Sequence, residues 1–148
     1  MRRGFGLITA IIILVIVSTL MSLMISLSST SVKQTTDIFF KEQAELLAIS
    51  AVEYGLLALS GHNNSVNCVE NVNISYPNTL VPTHEANLTF YYIYDKDTTP
   101  TCNNILASNI ETSMSNITVI VDVRVAVRQD NTGITEPIVI HRRTIQKP

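Results

Sequence analysis

From Phe5 to Leu27 the chain runs 23 residues without a charge. Roughly 20 apolar residues suffice for an α-helix to cross the hydrocarbon core of a bilayer. Arg2 and Arg3 precede the stretch, and the next charge is Lys33. Positive charge on the near side of a first span predicts a cytoplasmic N-terminus and an exported C-terminal part. The competing reading is a cleaved secretory signal, with Ser26-Leu27-Ser28 as its small-x-small site. Such signals have apolar cores of about 7–15 residues. This run is longer, and no break follows it.

The rest of the chain is long enough for one domain. Net charge is -2, which gives no global pull toward nucleic acid. Two cysteines, Cys68 and Cys102, both fall on the exported side. In an oxidising compartment an even count points to one disulfide. It would close a loop of about 35 residues and contribute on the order of 3–4 kcal/mol. The alternative is two separate buried thiols.

No proline interrupts the sequence between Ser28 and Gly61. Helix formers dominate from Lys41 to Leu59, so one helix is expected from about Phe5 to Ser60, roughly 80 Å long. Its Ser- and Thr-rich segment over 28–36 is the weakest joint. From Leu46 to Leu59 only Ser50, Glu53 and Gly55 break the apolar character. That is too apolar for a helix wetted along a whole face, so cover on more than one side is expected. Glu53, set among apolar neighbours, is expected to pair with another subunit or with a sheet arginine such as Arg124.

Residues 62–87 are rich in Asn, contain Pro77 and Pro82, and read as loop with a short strand near Val72–Tyr76. Three stronger strand signals follow. Leu88–Tyr94 is aromatic and β-branched. Ile117–Val127 alternates with period two, placing Ile117, Val119, Val121, Val123, Val125 and Val127 on one face and Asp122 and Arg124 on the other. Ile138–Ile145 follows QDNTGITEP, which predicts a hairpin with Gly133 in its loop. A meander of three or four antiparallel strands has one apolar face to cover. The outer, amphipathic half of the long helix can cover it. The expected fold class is α+β: a long N-terminal helix packed on a small antiparallel sheet.

A basic leader ending in glycine (Arg2-Arg3-Gly4), then Phe5, an apolar run to Leu27 and a helix-then-sheet order together resemble the type IV pilin and pseudopilin superfamily. The N-terminal third carries nearly all of this resemblance. It implies that a prepilin peptidase cuts between Gly4 and Phe5 and methylates Phe5. Residues 1–4 would then be the leader, 5–27 the transmembrane helix, 28–60 its continuation over the sheet, and 61–148 the exported β domain. The implied function is that of a structural subunit of a type IV pilus or of a type II secretion pseudopilus. Its implied partners are the peptidase, other pilin subunits through the N-terminal helix, an inner-membrane assembly platform, and lipid before assembly. The implied location is the bacterial inner membrane, with the C-terminal domain periplasmic and at the cell surface after assembly.

One position departs from the family pattern. Most members carry a glutamate at the fifth residue of the mature chain, and here Thr9 stands there. That glutamate is thought to neutralise the N-terminal amine of an adjacent subunit, whose unpaired burial is costly. A subunit without it suits a minor or initiating place in the filament. The runner-up, from another class, is a single-pass membrane-anchored envelope protein whose exported binding domain does not polymerise.

Ser18, Ser22, Ser26 and Thr30 recur every four residues. Small-xxx-small spacing lets helices approach in lipid. Equally, each hydroxyl can bond the carbonyl one turn back. Asn-x-Ser/Thr occurs at Asn63, Asn73, Asn87 and Asn116. Asn87, within Glu85-Ala86-Asn87-Leu88-Thr89, is the candidate for bacterial N-glycosylation and would need an exposed loop. Asp95-Lys96-Asp97-Thr98-Thr99 offers alternate oxygens but lacks the glycine and distal glutamate of a calcium loop, and reads as a solvated turn. His62, His84 and His141 have no zinc-like spacing. His141-Arg142-Arg143 and Lys147 make the C-terminus basic, which reads as a strand edge blunted by charge. No catalytic constellation is present in the sequence, so no enzyme activity, metal, cofactor or nucleic-acid partner is expected.

Overall fold

The computed structural model describes residues 3–62, 67–96, 102–111 and 117–147, and for residues 3–5 the backbone alone. The chain forms two units, 1–38 and 39–148, which are taken separately below. Helix α1, Arg3–Gly61, contributes to both. In the first unit every large apolar side chain from Leu7 to Leu27 is exposed, between 43% and 71%. The helix is long and apolar enough there to cross a membrane.

The second unit holds the core. Its strands are β1 (Asn71–Tyr76), β2 (His84–Asp95), β3 (Ile105–Ile110), β4 (Ile117–Val127) and β5 (Val139–Gln146). The sheet order is β1-β2-β4-β5, with β3 also paired to β2. The β1–β2, β2–β4 and β4–β5 ladders are antiparallel. β3 is the fifth strand, beyond the three or four expected, and its short, irregular pairing with β2 is parallel. β1 and β3 share one edge of β2: β1 pairs with His84–Thr89, and β3 takes Tyr92–Asp95. Between them the Phe90 N–H donates to the Glu70 carbonyl and the Tyr92 N–H to the Asn104 carbonyl.

The period-two pattern of β4 turns inward as its sequence dictates. Val119, Val121, Val123 and Val125 are fully buried, beside Leu88, Phe90, Tyr92 and Tyr94 of β2. The β4–β5 hairpin passes through a single turn of helix, α2 (Gln129–Thr132), and Gly133 follows it at φ 68°. That left-handed conformation is cheap only for glycine.

Against this inner face α1 presents small residues. Ala44, Ala48, Ala51 and Gly55 are buried, with Val52 and Leu59. Their spacing is that of one helix face. Gly55 is the closest approach: a Cβ there would lie 2.8 Å from both Leu88 Cδ2 and Phe90 Cζ. The sheet covers only this side of α1. Leu46, Ile49, Tyr54 and Leu57 remain exposed, at 43–69%. The expectation of cover on more than one side is therefore not met among the described residues. Mostly small residues went inward, together with Val52 and Leu59, because helix and sheet backbones lie close, and Leu46, Ile49, Tyr54 and Leu57 were left outside.

Candidate functional site

Gly4 and Phe5 lie in the backbone of α1, while Arg2 falls outside the described residues. Thr9 Oγ1 donates to the Gly6 carbonyl at 3.4 Å. In the four-residue stripe, Ser18 donates to Val15 O at 3.1 Å and Thr30 to Ser26 O at 3.1 Å. These two hydroxyls are satisfied locally. Ser22 and Ser26 make no side-chain hydrogen bond among the described residues. The stripe thus divides evenly between its two readings, and all four residues are exposed.

Cys68 and Cys102 form the disulfide, with Cα atoms 5.2 Å apart. Tyr94 OH lies 2.7 Å from Cys102 Sγ. One residue on from Val69, Glu70 accepts from the Asn103 N–H at 3.1 Å and from its Nδ2 at 2.5 Å. The bridge therefore clamps the approach to β1 onto the approach to β3. Beside it the buried Tyr92 hydroxyl donates to Val69 O at 2.6 Å. Burial, then the neighbouring Tyr94 and Glu70, push the Tyr92 phenol up to about 12.

The three histidines have separate partners. His84 is buried, its Nε2–H donating to the Phe40 carbonyl at 3.2 Å. His62 meets Asn67 at 2.6 Å, and His141 contacts Asp122. No group of three or more metal-ligating side chains occurs among the described residues. Of the Asp95–Thr99 turn, Asp97, Thr98 and Thr99 lie outside the described residues. Asn63 and Asn116 also lie outside them. Asn87 is exposed, but it stands in the middle of β2 between Asn73 and Arg124, not on the loop that a glycan acceptor calls for.

The register assembles something the sequence did not announce. On the outer face of the sheet two cross-strand rows lie side by side. One reads Asn73, Asn87, Arg124, His141, and the other Asn71, Thr89, Asp122, Arg143. Asp122 is the hub of the second row. Its carboxylate accepts from Arg143 Nε at 3.0 Å, from a second Arg143 nitrogen and from His141. Partial burial opposes its ionisation, but the hydrogen bonds from Arg143 and His141 overcome that and hold Asp122 below the usual carboxylate range. Asn73, Asn87 and Arg124 have no side-chain partner among the described residues. The signal for this hub lay in Asp122 standing out of phase with the β4 valines, but pairing needed the register of β5.

Arg142 was grouped in the sequence with its neighbours. Alternation puts it on the opposite face, beside Ile140 and next to Glu45 and Ile49 of α1. The same alternation corrects the Glu53–Arg124 pairing within one chain. Arg124 points outward, away from α1, and Glu53 makes no ion pair among the described residues. What the second unit offers is two solvent-facing surfaces. One is the acidic, apolar outer side of α1, and the other is the outer sheet face with its arginines and amides. No family model, curated protein or solved structure matches the chain.

Proposed function

We propose that this chain is a minor subunit of a type IV pilus or type II secretion pseudopilus, cut by a prepilin peptidase between Gly4 and Phe5. The observation that carries the reading is one helix with two kinds of apolar surface. Residues 7–27 expose large apolar side chains on every side, which suits lipid before assembly and neighbouring helices after it. The same helix then continues as the cover of an α+β domain. The leader Arg2-Arg3-Gly4 before Phe5 supplies the cleavage logic. The disulfide accords with a periplasmic or surface location for the second unit.

The work of such a subunit is assembly. Thr9, in place of the customary glutamate, removes the charge that would neutralise a neighbour's terminal amine and favours an initiating or minor position. Intact-mass and N-terminal peptide analysis from the native host tests the reading. The expected product starts at a methylated Phe5. A chain still carrying Met1-Arg2-Arg3-Gly4 beside an active peptidase would refute it and leave the second reading, a permanently anchored envelope protein. That second reading draws on the same Thr9, which lacks the charge used in docking. Thr9→Glu is expected to keep or raise incorporation along the shaft, and loss of surface assembly would count against the minor-subunit assignment.

A further inference from the structure

Two surfaces of the 39–148 unit are opposite in charge, similar in length and unused within the chain. On α1, Glu42, Glu45 and Glu53 are exposed and form no ion pair among the described residues. They frame the exposed Leu46, Ile49 and Leu57, with Lys41 on the same helix and Arg142 of β5 beside Glu45 as the exposed cations nearby. Isolated carboxylates around large apolar side chains make a surface that water serves poorly. On the outer sheet face, Arg124 and Lys147 are exposed without a carboxylate partner, and Arg143 shares Asp122 with His141. Ile145, 68% exposed, and Val139 supply apolar area there.

We propose that the outward side of α1 in one copy docks on the outer sheet face of a second copy of this chain. The proposal rests on the assembly reading above and names a contact for it. Charge complementarity selects the occupant. From Glu42 to Glu53 the helix rises about 16 Å. From the row of Arg124, which pairs with His141, β5 runs about 17 Å to its end at Gln146, and Lys147 follows it. Glu45 already lines a groove with Arg142 and Ile140 of its own chain, so Glu42 and Glu53 are the carboxylates left for the neighbour. A two-fold contact would need the two faces of each copy side by side, whereas α1 covers the inner face of the sheet, so its outward side and the outer sheet face lie on opposite sides of the unit. The contact is therefore head-to-tail, and a head-to-tail contact that does not close continues from copy to copy. In that arrangement each α1 lies between its own sheet and the next, which supplies the second cover that its exposed leucines lack.

The test uses the full chain in mild detergent, followed by sedimentation velocity at low ionic strength and at about 1 M salt, where the screening length shrinks to about 3 Å. Wild type is expected to associate, and less so in high salt. Glu42→Lys with Glu53→Lys, and separately Arg124→Glu with Lys147→Glu, are each expected to weaken association at least about tenfold, roughly 1.4 kcal/mol. All four side chains are exposed and form no ion pair among the described residues, so folding is expected to be untouched. Mixing the two variants is expected to restore association, because the altered faces fit each other and the unaltered faces still fit. Variants that associate like wild type, a mixture that does not recover, or a wild type monomeric at both salts would each overturn the proposal. The N-terminal mass of the same material separates the two readings. A processed chain whose association ignores these charges removes the docking surface alone. An unprocessed chain whose mixture recovers keeps the docking surface and removes the pilin reading.

Discussion

The two stretches of α1 are both apolar, and they are apolar in opposite ways. In the first unit bulk is outside: among the described residues Ile, Leu and Val from Leu7 to Leu27 are exposed around the whole circumference. After residue 39 the helix buries its smallest residues, Ala44, Ala48, Ala51 and Gly55, and leaves Leu46, Ile49 and Leu57 in solvent. Hydropathy alone would score both as one long greasy helix. The first stretch is a candidate membrane span, long and apolar enough to cross a bilayer, and in such a medium any large apolar side chain serves. The second is matched to a shape, in which a single methyl group matters.

The contrast can be broken most severely at the shape-matched end. Phe90→Ala removes a fully buried ring that packs against Gly55 and is expected to cost about 3–5 kcal/mol, read as a lower midpoint in chemical denaturation. No truncation between residues 7 and 27 should lower that midpoint comparably. Charge sharpens the comparison from the other side. Ile16→Arg puts a cation in the uncharged run at about 2.5–3.5 kcal/mol on insertion scales, so carbonate-resistant membrane association should fall. Leu46→Arg, exposed on the second stretch, should leave both association and denaturation midpoint within about 0.5 kcal/mol. If Leu46→Arg unfolded the protein, the proposed division of the helix would be wrong.

A smaller step tests fit directly. Gly55→Ala gains about 1 kcal/mol of helix propensity, yet its methyl would meet Leu88 and Phe90 at 2.8 Å. Overpacking costs about 1–3 kcal/mol, so a net loss of roughly 1 kcal/mol is expected. Gly6→Ala, with nothing within 4 Å of its Cβ, should show the propensity gain alone.

The smallest effects concern pH. Tyr92 titrates near 12 when folded because burial, Tyr94 and Glu70 disfavour its phenolate. A pKa raised by folding stabilises below the unfolded value, about 10. That stability is lost as pH climbs from about 10 through 12. Tyr92→Phe should flatten this alkaline limb of the denaturation midpoint. Asp122 acts oppositely: its pKa is depressed, so its contribution is present above the ordinary carboxylate value and lost as pH falls through the folded one. Its partners His141 and Arg143 are more than half exposed, so Asp122→Asn should change the acid limb only slightly.

Much of this architecture could be read from residues in order. The uncharged run marked the candidate span, the valines of β4 gave its inward face, and the cysteine count gave the bridge. β3 was missed because ILASNI is mostly exposed and so carries no burial pattern. Residues 84–87 were read as loop, since Pro82 and the asparagines around them outweighed a strand that begins at His84. The Asp122 hub and the two outer rows depend on register, which is a property of four strands together. The inward turn of the small helix residues was hidden for a similar reason: it follows from how near the sheet lies, which α1 alone does not state.

β2 is held on both flanks along nearly its whole length, by β4 on one side and by β1 and then β3 on the other. The changeover is bridged by the amides of Phe90 and Tyr92, and the disulfide ties the approaches to the two flanking strands. No local opening can release β2 by detaching one neighbour. The β2 amides that face β4 should therefore trade hydrogen for deuterium only through global unfolding, making them the protein's slowest clock.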